Sequence, residues 1–320
     1  MRRAAQESSG RPRALAEHAG VTSTASAEWT RRPERGSLAL ARLMAWLSLR
    51  LGRALSRIPL RIIAAYFLAS GSAARQASRE FLQRAHGRRP TLGEQYALFF
   101  SFASTIHDRV YFLKKRFELF EVEVEGGEVF DDKGALLMGA HLGSFEAMRA
   151  CGRHLGHRRV VMAMYEDNAR RLNGVFAAID PSAMQDIVAL GHAESMLELA
   201  EQLDQGALVG VLADRTLGSE PVIYVDFFGA SAPFPTGPMR MAAALRRRVI
   251  FMVGLYRGGN AYAIHFEPLA DFTDFEAIPR AERDRRVEEA VTRYAKRLEH
   301  YASEAPSNWF NFHDFWKPAA

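Results

Sequence analysis

Gly134-Ala-Leu-Leu-Met-Gly-Ala140-His141-Leu-Gly-Ser144-Phe-Glu146 is the stretch on which the fold turns. Residues 134–140 make a short apolar run with the length of a buried strand, and Ser144 is placed to cap a helix continuing through Ala147, Met148 and Ala150. His141 and Glu146 then stand at a strand-to-helix turn, on an exposed edge.

Working outward from that turn, the same alternation repeats. After Val122-Glu-Val-Glu125-Gly-Gly127, strands are expected at 135–140, 159–164, 185–190, 207–212, 222–227, 249–255 and 261–267. Helical patterns near 144–154, 168–179, 193–205, 237–246 and 281–302 fill most of the gaps. Short apolar runs alternating with helices predict an α/β fold with a mainly parallel central sheet flanked by helices. In open sheets of this kind ligands gather at the carboxyl ends of the strands, where His141, Glu166-Asp-Asn168 and Asp214-Arg215 all fall.

The turn carries residues suited to acyl transfer. A histidine near neutral pKa takes a proton from an attacking hydroxyl, and a carboxylate on the same turn holds the ring in one tautomer and stabilises the imidazolium. Glu146, in the first turn of the expected helix, is favoured in its ionised form by roughly 0.3–1 kcal/mol. The acceptor itself serves as the nucleophile, so no serine elbow of the G-x-S-x-G type is needed, and none is present. No metal is expected: H-E-x-x-H is absent, and His154 and His157 have no convincing ligand pattern around them.

Composition narrows the partners. The chain of 320 residues is 48% hydrophobic and 25% charged, ordinary globular material for one large domain or two modest ones. A single cysteine, Cys151, excludes an intrachain disulfide framework. The formal net charge of +5 is unevenly spread, with ten arginines against Glu80 alone over residues 38–91. Such a block points to an anionic partner. Few aromatics interleave with these arginines, which speaks against single-stranded nucleic acid and for a phospholipid surface.

Residues 1–37, rich in Arg, Ala, Ser and Glu without a sustained apolar period, read as a disordered leader. From Leu38 the sequence is helical: Leu40, Leu43, Met44, Leu47, Leu51, Leu55 and Ile58 form an apolar stripe, with Arg42, Arg50, Arg53, Arg57 and Arg61 on an adjacent face. This predicts a basic amphipathic helix lying in a membrane interface. Pro59 interrupts it, and the uncharged run 62–74 is too short to span a bilayer, which takes about 20 apolar residues. After a stop at His86-Gly-Arg-Arg-Pro90, a helix lined by Tyr96, Phe99, Phe100, Phe102 and Ile106 runs toward Phe117. The expected organisation is therefore a leader over 1–37, a membrane-associating helical region over 38–118 and an α/β core over 119–320.

Gly139-Ala-His141-Leu-Gly-Ser-Phe-Glu146, Leu212-Ala-Asp214-Arg215, and Val225-Asp-Phe-Phe228-Gly229 followed by Pro235-Thr-Gly237-Pro, in this order, resemble the bacterial lipid A biosynthesis (late) acyltransferases over roughly residues 38–316. The ending Asn308-Trp-Phe-Asn-Phe-His-Asp-Phe-Trp316 is similar to members acting in other glycolipid pathways, including those beside aryl polyene genes. The resemblance implies a glycerolipid-acyltransferase-like core and an enzyme on the cytoplasmic face of the bacterial inner membrane, peripheral or monotopic. It would move a fatty acyl chain from acyl carrier protein or coenzyme A, as thioester co-substrate, to a hydroxyl of a glycolipid acceptor, with no other cofactor and no nucleic acid partner.

The resemblance also assigns residues. His141 is the expected general base and Glu146 its orienting carboxylate, while Asn168, Arg170, Arg171, Asp214, Arg215, Phe228, Gly229 and Gly237 are expected to bind substrate. Asp214-Arg215 departs from the family's usual Asp-Gln or Asp-His, and a guanidinium there suits a phosphate or the thioester oxyanion, beside backbone donors of the turn 142–145. Two alternatives use the same residues: a non-catalytic lipid-binding protein, and a thioester or lipid hydrolase in which water replaces the acceptor.

Overall fold

The computed structural model describes residues 38–147, 158–165, 179, 186–216 and 220–317. The expected leader 1–37, the expected helix 168–179 except for residue 179, and most of the expected helix 144–154 lie outside these residues.

Four helices open the described chain: α1 (Leu38–Ser56), α2 (Ile58–Ser70), α3 (Ser72–His86) and α4 (Leu92–Leu113). Pro59 sits in the first turn of α2, where its missing N–H costs nothing. α3 stops at Gly87 in the left-handed conformation. Thr91 and Glu94 start α4 with a reciprocal capping box.

The sheet has seven strands in the order β1-β9-β8-β2-β5-β3-β4, parallel throughout except between β8 and β9. They are β1 (Glu121–Glu125), β2 (Ala135–Gly139), β3 (Val160–Tyr165), β4 (Ile187–Leu190), β5 (Leu208–Leu212), β8 (Arg248–Gly258) and β9 (Ala261–Asp271). The central strands are apolar at every position because both faces are covered. Successive side chains alternate between two cores: Leu136, Met138, Val209, Val211, Phe251 and Val253 point into one, and Ala135, Leu137, Leu208, Ile250 and Met252 into the other. Ala64, Phe81 and Leu98 of α2, α3 and α4 join the first core, so the helical region and the sheet are packed together. The remaining helices are α5 (Ala193–Asp204), α6 (Gly237–Ala244) and α7 (Arg280–Glu304).

Two strand expectations need correction. Residues 222–227 are a strand, β6 (Val222–Phe227), but it lies outside the main sheet and pairs antiparallel with β7 (Ala230–Pro235), where no strand is expected from the sequence. Phe228 and Gly229, with φ of 52° and 72°, make the tight turn between them. Pro233 and Pro235 have no N–H to give a ladder, which confines β7 to a two-stranded ribbon. The main sheet instead gains β1 at its edge, where the glutamates of Glu121-Val-Glu-Val-Glu125 face solvent and the valines are half-buried.

The arginine face of α1 also differs from expectation. Arg53 donates twice to Asp108 of α4, at 2.8 Å each, and Arg57 pairs with the same carboxylate at 3.4 Å. Asp108 is fully buried and also accepts from Tyr262 at 2.8 Å. A carboxylate taken so far from water needs opposite charge beside it, and these two arginines turn inward to supply it. Arg50 and Arg61 remain exposed.

Candidate active site

Parallel pairing of β2 with β5 brings Gly139 level with Leu212, and each strand ends there. Two residues beyond each end stand His141 and Asp214, so the register delivers both side chains to one place at the carboxyl edge. His141 Nδ1 lies 2.8 Å from Asp214 Oδ1, and the backbone N–H of His141 donates to Oδ2 at 3.1 Å. A buried ionised carboxylate only accepts, so Nδ1 carries the proton and Nε2 is left as the basic nitrogen.

Charge and burial set the protonation of the pair. Burial by itself raises the Asp214 carboxyl, but the imidazole, Arg215 and the His141 N–H outweigh it and hold the group well below the usual carboxylate range. His141 is pushed below the ordinary histidine value, first by burial and then by Arg215, against the opposing pull of Asp214. The imidazole is therefore neutral at neutral pH. Its side chain is 30% exposed while Asp214 is 2% exposed, so the imidazole reaches solvent and its partner does not.

The turn holding His141 is fixed from two sides. Gly143 N–H donates to Asn308 O at 2.9 Å, Phe310 N–H to His141 O at 2.8 Å, and Ser144 N–H to Gly254 O at 2.7 Å. Gly143 has φ of +72°, and a Cβ there would sit 2.0 Å from Gly254 O, so only glycine fits. Ser144 Oγ accepts from Ala147 N–H at 3.2 Å, the expected capping contact. Gly210 of β5 leaves room for the Phe145 ring, whose Cζ would lie 2.2 Å from any Cβ.

A cavity of about 120 Å³ opens beside this turn. Its lining combines His141, Glu146, Arg109 and Arg215 with Phe102, Ile106, Leu212, Phe310 and Phe312. An imidazole and two guanidiniums share this cavity with aromatic and aliphatic side chains, a mixed lining that suits a reaction at the polar end of an apolar chain.

Several expected site residues are redistributed. Glu146 does not reach the imidazole: it is buried and forms an ion pair with Arg109 Nε at 2.6 Å, and the Nδ1 it was expected to hold is taken by Asp214. The backbone donors of Gly143 and Ser144 are likewise engaged within the protein, which leaves the cavity's positive charge on Arg109 and Arg215. Arg215 is anchored by a bond to Phe310 O at 3.2 Å. Phe228 and Gly229 form the ribbon turn, where Phe228 packs on Phe81 and its N–H donates to Glu299 at 2.6 Å. Gly237 begins α6, close to Glu220 and Tyr165. None of these three lines the cavity. Asn168, Arg170 and Arg171 lie outside the described residues, as do Cys151, His154 and His157.

Arg109, a lone cation on an aromatic helix, and Trp309, within the aromatic tail, are the site neighbours that sequence reasoning missed. Among the described residues no group of three or more His, Cys, Asp or Glu is arranged to hold a metal ion.

The His141–Asp214 pair thus stands at the carboxyl edge of a mainly parallel sheet, and comparison with known protein families gives the class: an acyltransferase acting on lipids. More particularly, residues 98–318 match the sequence model of the bacterial lipid A biosynthesis acyltransferases, and the chain belongs to that family. Among solved structures the chain is similar to the crystal structure of the 1-acyl-sn-glycerophosphate (LPA) acyltransferase PlsC from Thermotoga maritima, with 18% sequence identity, a TM-score of 0.37, and coverage of 77% of this chain and 98% of that one. No match was found among curated proteins.

Proposed function

We propose that the enzyme moves a fatty acyl chain from the thioester of acyl carrier protein or coenzyme A to a hydroxyl of a membrane glycolipid, with His141 as general base. Nε2 takes the hydroxyl proton as the oxygen attacks the thioester carbonyl, forming a tetrahedral oxyanion. The oxyanion collapses, the carbon–sulfur bond breaks, and the imidazolium returns the proton to the departing thiolate. Asp214 keeps Nδ1–H oriented and favours the imidazolium, while Arg215 offers positive charge toward the oxyanion. The observation that carries this reading is the partly exposed imidazole held at 2.8 Å on a buried carboxylate, in a recess lined by Phe102, Ile106, Phe310 and Phe312.

The membrane is the proposed location of the acceptor. Trp46, Leu55, Ile58, Ile62 and Tyr66 are each more than half exposed on α1 and α2, beside the exposed Arg50 and Arg61. Apolar side chains flanked by arginine match an anionic leaflet. No helix among the described residues is long and apolar enough to cross a membrane.

The test is mass spectrometry of lipids after incubating bacterial membranes with the protein and carrier protein loaded with labelled fatty acid. Label is expected on a membrane lipid with the parent and not with His141→Ala, and the product mass identifies the acceptor. Label recovered only as free fatty acid would make the enzyme a thioesterase and overturn the transfer reading.

A further inference from the structure

Asp214 receives three hydrogen bonds, and His141 supplies only two of them. The third comes from the indole of Trp309, whose Nε1–H donates to Oδ2 at 3.3 Å. His141 touches both oxygens, but without the indole Oδ2 keeps only the 3.1 Å contact from the backbone N–H, and the last torsion of an aspartate has broad minima. Donors on Oδ2 from two directions fix its plane.

Trp309 is itself packed on every side by its neighbours. It is fully buried, with Phe81 and Phe315 edge-on at 4.6 and 4.9 Å. Its chain neighbours bond the turn that carries the base, Asn308 through its carbonyl to Gly143 and Phe310 through its N–H to His141. The Asn308 side chain clamps the backbone of Tyr256 at 2.7 and 3.0 Å. One short segment thus positions both the backbone of His141 and the side chain of its carboxylate. Packing alone would be met by phenylalanine, whereas a buried indole N–H requires an acceptor.

We propose that Trp309 is a positioning residue for the transfer step, its indole N–H fixing the second oxygen of Asp214 so that the first stays on His141 Nδ1. The inference rests on the roles proposed for His141 and Asp214.

Two measurements test it. In steady-state assays with labelled acyl carrier protein and membranes, Trp309→Phe is expected to lower kcat about tenfold with KM for the carrier within about twofold. The loss should vanish in an Asp214→Asn background, because a residue acting through another is non-additive with it. Additive losses, or a parental kcat in Trp309→Phe, overturn the inference. A parental kcat in Asp214→Asn overturns the underlying role of Asp214 instead. The second measurement needs neither turnover nor a folded Trp309 variant: with 15N-labelled indoles, the Trp309 resonance should shift upfield in Asp214→Asn while Trp316, which donates to Phe227 O, stays in place. A Trp309 resonance that does not move also overturns the inference.

Discussion

In the proposed reaction the two nitrogens of His141 divide the work: Nδ1–H is given to Asp214, and Nε2 is left to act as base. Asp214→Asn is therefore expected to lower kcat by about 100-fold or more with the fold retained, since the amide presents an N–H where an acceptor is needed. Glu146→Gln is the contrasting case. It weakens the ion pair with Arg109 at the cavity wall but leaves the His141–Asp214 bond in place, so its loss in kcat should be the smaller of the two. The pH profile is a separate check. Burial and then Arg215 lower the His141 pKa, which keeps the basic form available below the ordinary value of 6.5. The acid limb of kcat/KM is expected below that value, and Arg215→Gln should move it upward by removing a repelling charge. The same sign applies to stability: a folded-state histidine pKa below the unfolded one contributes stability that is present above about 6.5 and lost as pH falls through the folded value.

Among the elements, the strands legible in the sequence are those with unbroken apolar runs. β2, β3, β4, β5 and residues 249–255 of β8 lie close to their expected positions because no polar side chain blurs their apolar runs; β9, interrupted by His265 and Glu267, is the exception. β1 escaped notice because an edge strand keeps alternate glutamates in water, and β7 because its prolines read as loop. The Asp214 partnership was hidden for another reason: its 73-residue separation from His141 is closed only by the parallel register of β2 and β5. Its cue was the equal offset of both residues from the ends of two apolar runs. The arginine face of α1 misled because periodicity reports which side of a helix a residue occupies but not what lies opposite. Asp108, on α4, decides it. Asp108→Ala would leave Arg53 and Arg57 without their counter-charge, a loss of about 3–5 kcal/mol for a buried pair. A fall in Tm of several degrees is expected, with Arg50→Ala as an exposed control that changes it little.

For the molecule as a whole, the inward turn of Arg53 and Arg57 leaves the proposed attachment to a membrane resting on apolar contact and on the exposed Arg50 and Arg61. The two contributions respond differently to salt. Leu55, Ile62 and Tyr66 are 57%, 73% and 58% exposed, so burying the rest of each in a bilayer is worth about 1 kcal/mol per side chain, given roughly 1.5–3 kcal/mol for complete burial. Replacing all three by serine is expected to weaken binding to vesicles of mixed neutral and anionic phospholipid by roughly 100-fold, at low and high salt alike. Replacing Arg50 and Arg61 by glutamine should remove about 1 kcal/mol each at low salt and almost nothing at high salt, where screening already cancels their attraction. Because all five side chains face outward, the Tm of either variant should stay near the parent's, separating lost contact with lipid from lost fold. Vesicle co-sedimentation across a salt series makes the measurement, and unchanged binding in the serine variant would mean that this face of α1 and α2 meets something other than lipid.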